Sequence, residues 1–555
     1  MKFYVLLLFF FLLQQSIFSQ VETIPADNYI YDFLKGLSVK GIISNYDDMV
    51  LPLSKRKVTM FLNEAESKQQ YLSDNEKSQL EKFRIKLDLM KSSLNVSFTD
   101  TFTGEIKSFL DKNSAKYLYA FKDSSFNLYS NPILENDFIY SQNDHGTTNL
   151  FNFGIKMYGS YGDWFGFYMA ASNGYQSGNR TVAELDQAVN QSFSFNSTKI
   201  SYFDYTTGYT RIEKGNIGLE IGRERILVGR GINKLLISNN APIFDFIRLN
   251  ADFGILSIDY LNGWLVQPTY YTFDAASDSY FQNKDPKYIV ISRFGLNPSS
   301  NFSFGITQSI IYANRPLELA YLNPFLFLES AQRSLNDLDN SFLAFDLRYK
   351  IINGLELSSI IDFDDIDVKS ISTDGFGSLL TRYGWESNIT LTNPILPENL
   401  IINMDYLILR PYLFSHQGIG ESLMYTNNGF LIGPDVQPNS IKTSIRASYI
   451  INQDLILRAS VDNIRHGDNT YDENGNEINN VGGNVFDFIK PGGNKRTKIL
   501  DGIYEVTNQF SVNLEYEFII GFYLGFQYDF ANIKKEGTES KTENNIWGVF
   551  RYNIL

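Results

Sequence analysis

The stretch Phe510–Phe530, FSVNLEYEFIIGFYLGFQYDF, decides the fold. Phe510, Val512, Leu514, Tyr516 and Phe518 alternate with Ser511, Asn513, Glu515 and Glu517. Phe522, Leu524, Phe526, Tyr528 and Phe530 then alternate with Gly521, Tyr523, Gly525, Gln527 and Asp529. A period of two marks β-strands with two unlike faces. A secreted, water-soluble β-protein also alternates, but its outer face is seldom so uniformly aromatic. One face here suits lipid and the other carries charge, the pattern of a membrane barrel.

The same alternation recurs upstream. Phe151, Phe153, Ile155 and Met157 alternate with Asn152, Gly154 and Lys156, and Leu343, Phe345, Leu347 and Tyr349 with Ala344, Asp346, Arg348 and Lys350. Short turns recur at Gly162-Asp163, Lys214-Gly215, Pro298 to Asn301, Asn353-Gly354 and Asn452 to Asp454. Asn-Gly between alternating runs is a strong hairpin signal. Long polar loops lie between these turns, at about 172–207, 229–245, 263–286, 313–341, 364–380, 411–439, 466–508 and 532–543. Short periplasmic turns and long outer loops are the habit of outer-membrane barrels. The alternation predicts an all-β transmembrane barrel of about 18 antiparallel strands over residues 125–555, in the outer membrane of a Gram-negative bacterium. The last stretch, Asn545 to Leu555, is expected to close the barrel on Phe126 to Ser130.

The N-terminal part reads differently. Lys2 and the apolar run Phe3 to Leu13 form a signal peptide over residues 1–19, with cleavage after Ser19, and the run is too short to span a bilayer as a helix. Residues 20–91 carry a helical period: Ile30, Phe33, Leu34 and Leu37 ending at Gly41; Val58, Phe61, Leu62 and Ala65 after a Ser54 cap; Leu80, Phe83 and Leu87 after a Ser73/Glu76 capping box. A small helical bundle plugging the periplasmic end is the expectation. Residues 92–124 are a linker or a first hairpin.

Composition narrows the function. The 555 residues carry a net charge of -14 and no cysteine. Disulfides, thiolate metal sites and a lipidated N-terminal cysteine are excluded, and no basic balance invites nucleic acid. Phosphate loops, zinc spacings and nucleotide fingerprints are missing, so neither a cofactor nor a metal is expected. Ser172-Asn173-Gly174 faintly resembles a lipase nucleophile, with His145 as the base it would need. Nothing else supports it, and no catalytic residue is expected. Asp362, Asp364, Asp365 and Asp367 lack the spacing of a calcium loop and read as the start of a solvated loop. The inward-facing charges Lys156, Glu220, Glu224, Asp346, Arg348, Glu356, Arg382, Glu386, Lys442, Arg446, Arg458, Asp462, Glu515 and Glu517 read as a cross-linked wall in preference to a selectivity lining.

The loops hold the binding candidates. Gly222–Pro242, GRERILVGRGINKLLISNNAP, ends a strand over Ile217 to Ile226, breaks at Gly229 and Gly231, and turns at Ser238, Asn239 and Asn240. Asparagine tolerates turn conformations and offers donors and acceptors. Arg230, Ser238, Asn239, Asn240, Arg315, Tyr321, Glu329, Arg333, Tyr412 and His416 combine aromatic faces, amides, a carboxylate and guanidinium groups. That set suits sugar rings, hydroxyls and uronic carboxylates.

These residues resemble the Wzi family of capsule assembly proteins. The likeness runs through PADNYIYDFLKGLSVKGII (Pro25–Ile43), Pro52-Leu53-Ser54, the Gly222-Arg223 strand end, LLISNNAP (Leu235–Pro242), Arg315-Pro316-Leu317, Glu329, Phe345-Asp346-Leu347-Arg348, Tyr412, His416 and Leu431-Ile432-Gly433-Pro434. Where the family has Trp-Gly-Pro-Gly, this chain has Val228-Gly229-Arg230-Gly231. The resemblance implies an eighteen-stranded lectin barrel with a periplasmic helical plug. It also implies a non-enzymatic function: binding capsular or extracellular polysaccharide and helping to attach or organise it at the cell surface. The barrel would act as a monomer in outer-membrane lipid. The alternative is a porin passing oligosaccharides or small solutes.

Overall fold

A computed structural model describes residues 20–90, 93–96, 114–144, 146–192, 194–196, 201–267, 270–274, 279–283, 285–365, 381–417, 421–489 and 496–554. The expected signal peptide and His145 lie outside these residues. Three helices come first: α1 (Ile30–Lys40), α2 (Lys55–Ser67) and α3 (Asp74–Lys86). Their ends follow the sequence signals. Gly41 closes α1 in the left-handed region at φ 88, the Ser54 side chain accepts from Lys57 N, and Ser73 and Glu76 form a reciprocal capping box.

One closed antiparallel sheet follows. Among the described residues its full-length strands number eighteen. They are β1 (Phe126–Ser141), β2 (Gly146–Tyr161), β3 (Phe165–Gly178), β4 (Ser201–Lys214), β5 (Ile217–Glu224) and β6 (Phe244–Asp252). Then come β7 (Leu256–Leu265), β8 (Lys287–Ser299), β9 (Phe302–Ala313), β10 (Asn340–Ile352), β11 (Leu355–Asp365) and β12 (Arg382–Leu391). The last are β13 (Leu400–Leu409), β14 (Ser440–Asn452), β15 (Leu455–Asp468), β16 (Ile503–Ile519), β17 (Phe522–Lys535) and β18 (Lys541–Tyr552).

The two faces separate as the alternation requires. Arg248 on β6 donates to the Pro52 carbonyl of the helical segment at 3.0 Å, so its face is the lumen. Neighbouring side chains on the other face, such as Leu219 and Ile221 on β5, are exposed and apolar, as are Leu524 and Phe526 on β17. This outward belt makes the barrel an outer-membrane one. The helices sit at the short-turn end, where Asn75 and Lys82 donate to Ile450, Ile451 and Gln453 beside the β14–β15 turn. Their apolar stripes form one core with Tyr129 and Tyr158 of the wall.

Two details differ from the sequence reading. β18 closes on Leu134 to Ser141, pairing Tyr552 with Leu134 and Asn545 with Ser141, not on Phe126 to Ser130. Closing a tilted barrel staggers the strands, so the lower part of β1 extends past β18. The short strand Tyr119–Lys122 pairs there instead. Second, β5 stops at Glu224, two residues before Ile226, because the chain then leaves the wall and turns inward.

Candidate functional site

The segment 225–243 leaves the wall at the long-loop end and enters the lumen. Leu227 and Val228 pair there with Leu51 and Val50 of the helical segment. Gly229 and Gly231 have φ 147 and 71, and a Cβ on Gly231 would strike the carboxylates of Glu386 and Asp405. Those carboxylates, on β12 and β13, accept from the backbone N–H of Ile232 (3.1 Å), Asn233 (2.7 Å) and Leu235 (3.2 Å). Glycine is therefore required both for the turn and for the close approach. Leu235, Leu236 and Ile237 are fully buried in a core with Phe246, Ile289, Leu407, Phe414 and Tyr425.

This corrects the picture of a solvated sugar-facing loop. Ser238 is buried, with its hydroxyl donating to the Gly433 carbonyl at 2.5 Å. Asn240 donates to the Leu431 carbonyl at 2.9 Å. Asn239 alone of the three is exposed, and its carbonyl accepts from Gln191 at 2.9 Å. Arg230 is 1 % exposed. It donates to Asp346 of β10 at 2.8 Å and forks onto Asp47 of the helical segment. Three consecutive apolar residues, Leu235 to Ile237, were the available signal, since a polar surface loop seldom carries such a run.

Arg230 belongs to a buried charge network. Asp346 also takes Arg293 at 2.9 Å, Lys35 joins Asp48 (3.1 Å) to Glu356 (2.7 Å), and Glu356 takes Arg348 at 3.1 Å. Burial alone would raise the Asp47 carboxyl, but Arg230 and Arg293 hold it well below the usual range. Asp48 is likewise held low against its burial, first by Lys35 and then by Lys234. Burial pulls on Lys35 in the opposite direction, yet Asp48 and Glu356 keep it above its ordinary value. The lumen charges thus knit helices, inward loop and wall together, as the cross-linked reading expects.

At the long-loop end a cavity of about 1110 Å³ opens at the rim of β9 to β12. Four of the ten candidates line it: Arg315, Glu329, Arg333 and His416. Arg315 is neutralised by Asp339 and Asp337, at 2.6 and 3.1 Å. Glu329 and Arg333 pair across one turn of α4 (Leu328–Leu335) at 2.7 Å. The His416 Nδ1 lies 3.0 Å from the Gln417 carbonyl. Tyr321 is fully buried, its hydroxyl donating to Asp339 at 2.6 Å. Tyr412, also buried, donates to the Asn480 carbonyl at 2.7 Å. Both are supports and not contact surfaces.

The sequence reading placed the cavity's most telling group among the lumen charges and not among the binding candidates. Arg382, the first residue of β12, lines the cavity with its guanidinium 5.7 Å from the Tyr412 ring centre. Among the described residues no carboxylate lies within ion-pair distance of it. The same wall carries Asp364, which accepts from Phe414 N at 2.8 Å and so is committed to the backbone. Asp362 is fully buried and faces inward, which corrects its reading as part of a solvated loop start. Ser172 is buried within β3.

Among the described residues, no group of three or more His, Cys, Asp and Glu side chains is placed to hold a metal ion. Residues 129–359 match the family model of capsule assembly protein Wzi. In three dimensions the chain resembles the Escherichia coli Wzi protein, described as an outer membrane protein involved in group 1 capsule assembly and a carbohydrate-binding β-barrel. The TM-score is 0.54 and the identity 11%, over 95% of this chain and 98% of that one. Pseudomonas aeruginosa OprD and OpdK superpose with TM-scores of 0.39 and 0.41 at 10% and 8% identity, over 77% and 76% of this chain and 94% and 98% of theirs. No curated protein matches in sequence.

Proposed function

On the premise that this chain is an outer-membrane barrel of the Wzi capsule assembly family, we propose that it holds a capsular or extracellular polysaccharide at the cell surface. The rim cavity at the long-loop end carries this reading. It is large enough for several sugar units and combines guanidinium, carboxylate, amide and imidazole groups with Phe327 and Phe488. Arg315, Glu329, Arg333 and His416 are the contact residues, joined by Arg382, which meets no carboxylate among the described residues. A repeating polymer engages many copies of such a site across the membrane, so modest affinity at each suffices.

The filled lumen favours attachment over transport. Residues 225–243 and the N-terminal segment enter from opposite ends and meet where Val228 pairs with Val50 and Leu227 with Leu51. The test is retention of polysaccharide by the purified barrel in detergent, screened on a panel of acidic and neutral glycans. Binding that drops in an Arg333→Ala/Arg382→Ala double variant is the expected result. Failure of the unaltered barrel to retain any glycan, together with steady conductance in a planar bilayer, would overturn the proposal in favour of a porin.

A further inference from the structure

The segment between β9 and β10 does not stand above the rim. It folds down over the outside of the wall. On β7 to β9 the residues Arg293, Ile291 and Ile311 face the lumen, so Tyr260, Tyr288, Val290, Ser292, Gln308, Ile310 and Tyr312 face outward. Outward residues lower on these strands are open, Leu296 at 47 % and Ile306 at 39 %. Higher up, Tyr260 is 5 % exposed and Val290, Ile310 and Tyr312 are 0 %, because Tyr321, Leu328 and Ala331 pack on them.

The covered wall is polar in a way that an outward face in lipid should not be. Three polar side chains on it meet the backbone of the overlying segment, and Asn262 donates to the Tyr260 hydroxyl at 3.4 Å. Tyr260 donates to the Tyr321 carbonyl at 2.8 Å, Ser292 to the Pro324 carbonyl at 2.7 Å and Gln308 to the Leu326 carbonyl at 2.7 Å. Gln308 also accepts from Leu328 N at 2.9 Å. Irregular backbone is tolerated at membrane depth only where it is buried in protein or lines a water-filled cavity, and these bonds turn the carbonyls of Tyr321, Pro324 and Leu326 against the wall.

The depth fits. Phe325 contacts Phe294 with ring centres 6.0 Å apart, and Phe294 is one outward position above the open, apolar Leu296 on β8. At roughly 3.3 Å per residue the apron thus reaches down to the level of the wall's open apolar belt. The large side chains the segment turns outward are apolar: Leu319 is 77 % exposed and Phe325 69 %, while the exposed Asn323 accepts from Phe325 N at 3.1 Å. Its exposed charge, Arg333, lies on α4 beside the rim cavity.

We infer that residues 316–327 form an apron seated in the outer leaflet, and that Leu319 and Phe325 bind lipid acyl chains. The apron continues the apolar belt of the wall, which is lipid's established contact. It stands independently of whether the rim cavity binds sugar.

The absence of cysteine makes the test clean. Phe325→Cys and Leu319→Cys, each carrying a nitroxide label, are placed in dioleoylphosphatidylcholine vesicles, with Phe526→Cys as a lipid-facing reference and Glu473→Cys as an aqueous one. Both apron labels should match the Phe526→Cys label, with collision by oxygen several-fold greater than by a water-soluble nickel chelate. Nickel accessibility equal to that of the Glu473→Cys label would place the apron in water and overturn the inference. Protection from both reagents, with spin–spin broadening, would replace lipid by a second copy of the chain and overturn it equally. Two independent positions guard against a label that disturbs its own site.

Discussion

Arg230 enters the barrel from the long-loop end and forks onto Asp47, which belongs to the helical segment at the opposite end. One guanidinium thus joins the two bodies that fill the lumen, and Asp346 ties both to the wall.

Replacing Arg230 with Met should be severe. It leaves the Asp47 carboxylate buried and short of its chief partner, a change that typically costs about 3–5 kcal/mol. The urea midpoint of the detergent-solubilised barrel should fall accordingly, and openings should appear in planar bilayers under conditions where the unaltered protein should stay silent. A variant with wild-type stability and no conductance would show that the contact holds nothing in place.

Acidification should loosen the same latch. Asp47 and Asp48 are held low when folded, so their contribution is whole above their unfolded value, about pH 4, and is lost as pH falls toward the folded values. Lys35 is held high, so its contribution is whole below about pH 10.4 and is lost as pH rises past its folded value. Bilayer recordings should be quiet between these limits and show openings below about pH 3. Openings that instead track neutral pH would point to a different closure.

Arg382→Ala should separate charge recognition from ring recognition. Losing a charge-assisted hydrogen bond costs about 1.5–3 kcal/mol, or at least tenfold in affinity for a uronate-bearing polysaccharide. Retention of a neutral polysaccharide should change little. Equal losses for both polymers, measured by surface plasmon resonance, would mean that the residue shapes the cavity and does not contact a carboxylate.

Tyr321→Phe removes the hydroxyl that donates to Asp339 and should loosen the apron locally by about 1.5 kcal/mol. Amide exchange in α4 and in residues 316–327 should quicken roughly tenfold with the rest of the barrel unaltered. Unchanged exchange there would show that packing alone pins the apron.

The wall was legible because lipid imposes a rule on every second residue. Phe510 to Phe530 obeys it, and the structure pairs Glu515 with Gly525 and Tyr516 with Leu524 in one hairpin. Gly41, Ser54 and Ser73 were legible as caps because each has a local partner. The site was harder. Four candidates meet at the rim, while Arg230, Ser238 and Asn240 turn inward and Tyr321 and Tyr412 serve as supports. Loop composition says which chemistry is present but not the side of the wall on which it settles; that depends on contacts more than a hundred residues away, such as Arg230 with Asp346. Asn262, Ser292 and Gln308, polar residues on an otherwise apolar outer face, were the clue to the apron.

The pairing of Val50 and Leu51 with Val228 and Leu227 also constrains how this molecule is made. The hoop is complete only when the final strand meets the first. The leading segment touches the inturned loop inside that hoop, so corking and closure are expected to be coupled: a chain lacking residues 20–91 should complete the seam without its inner partner.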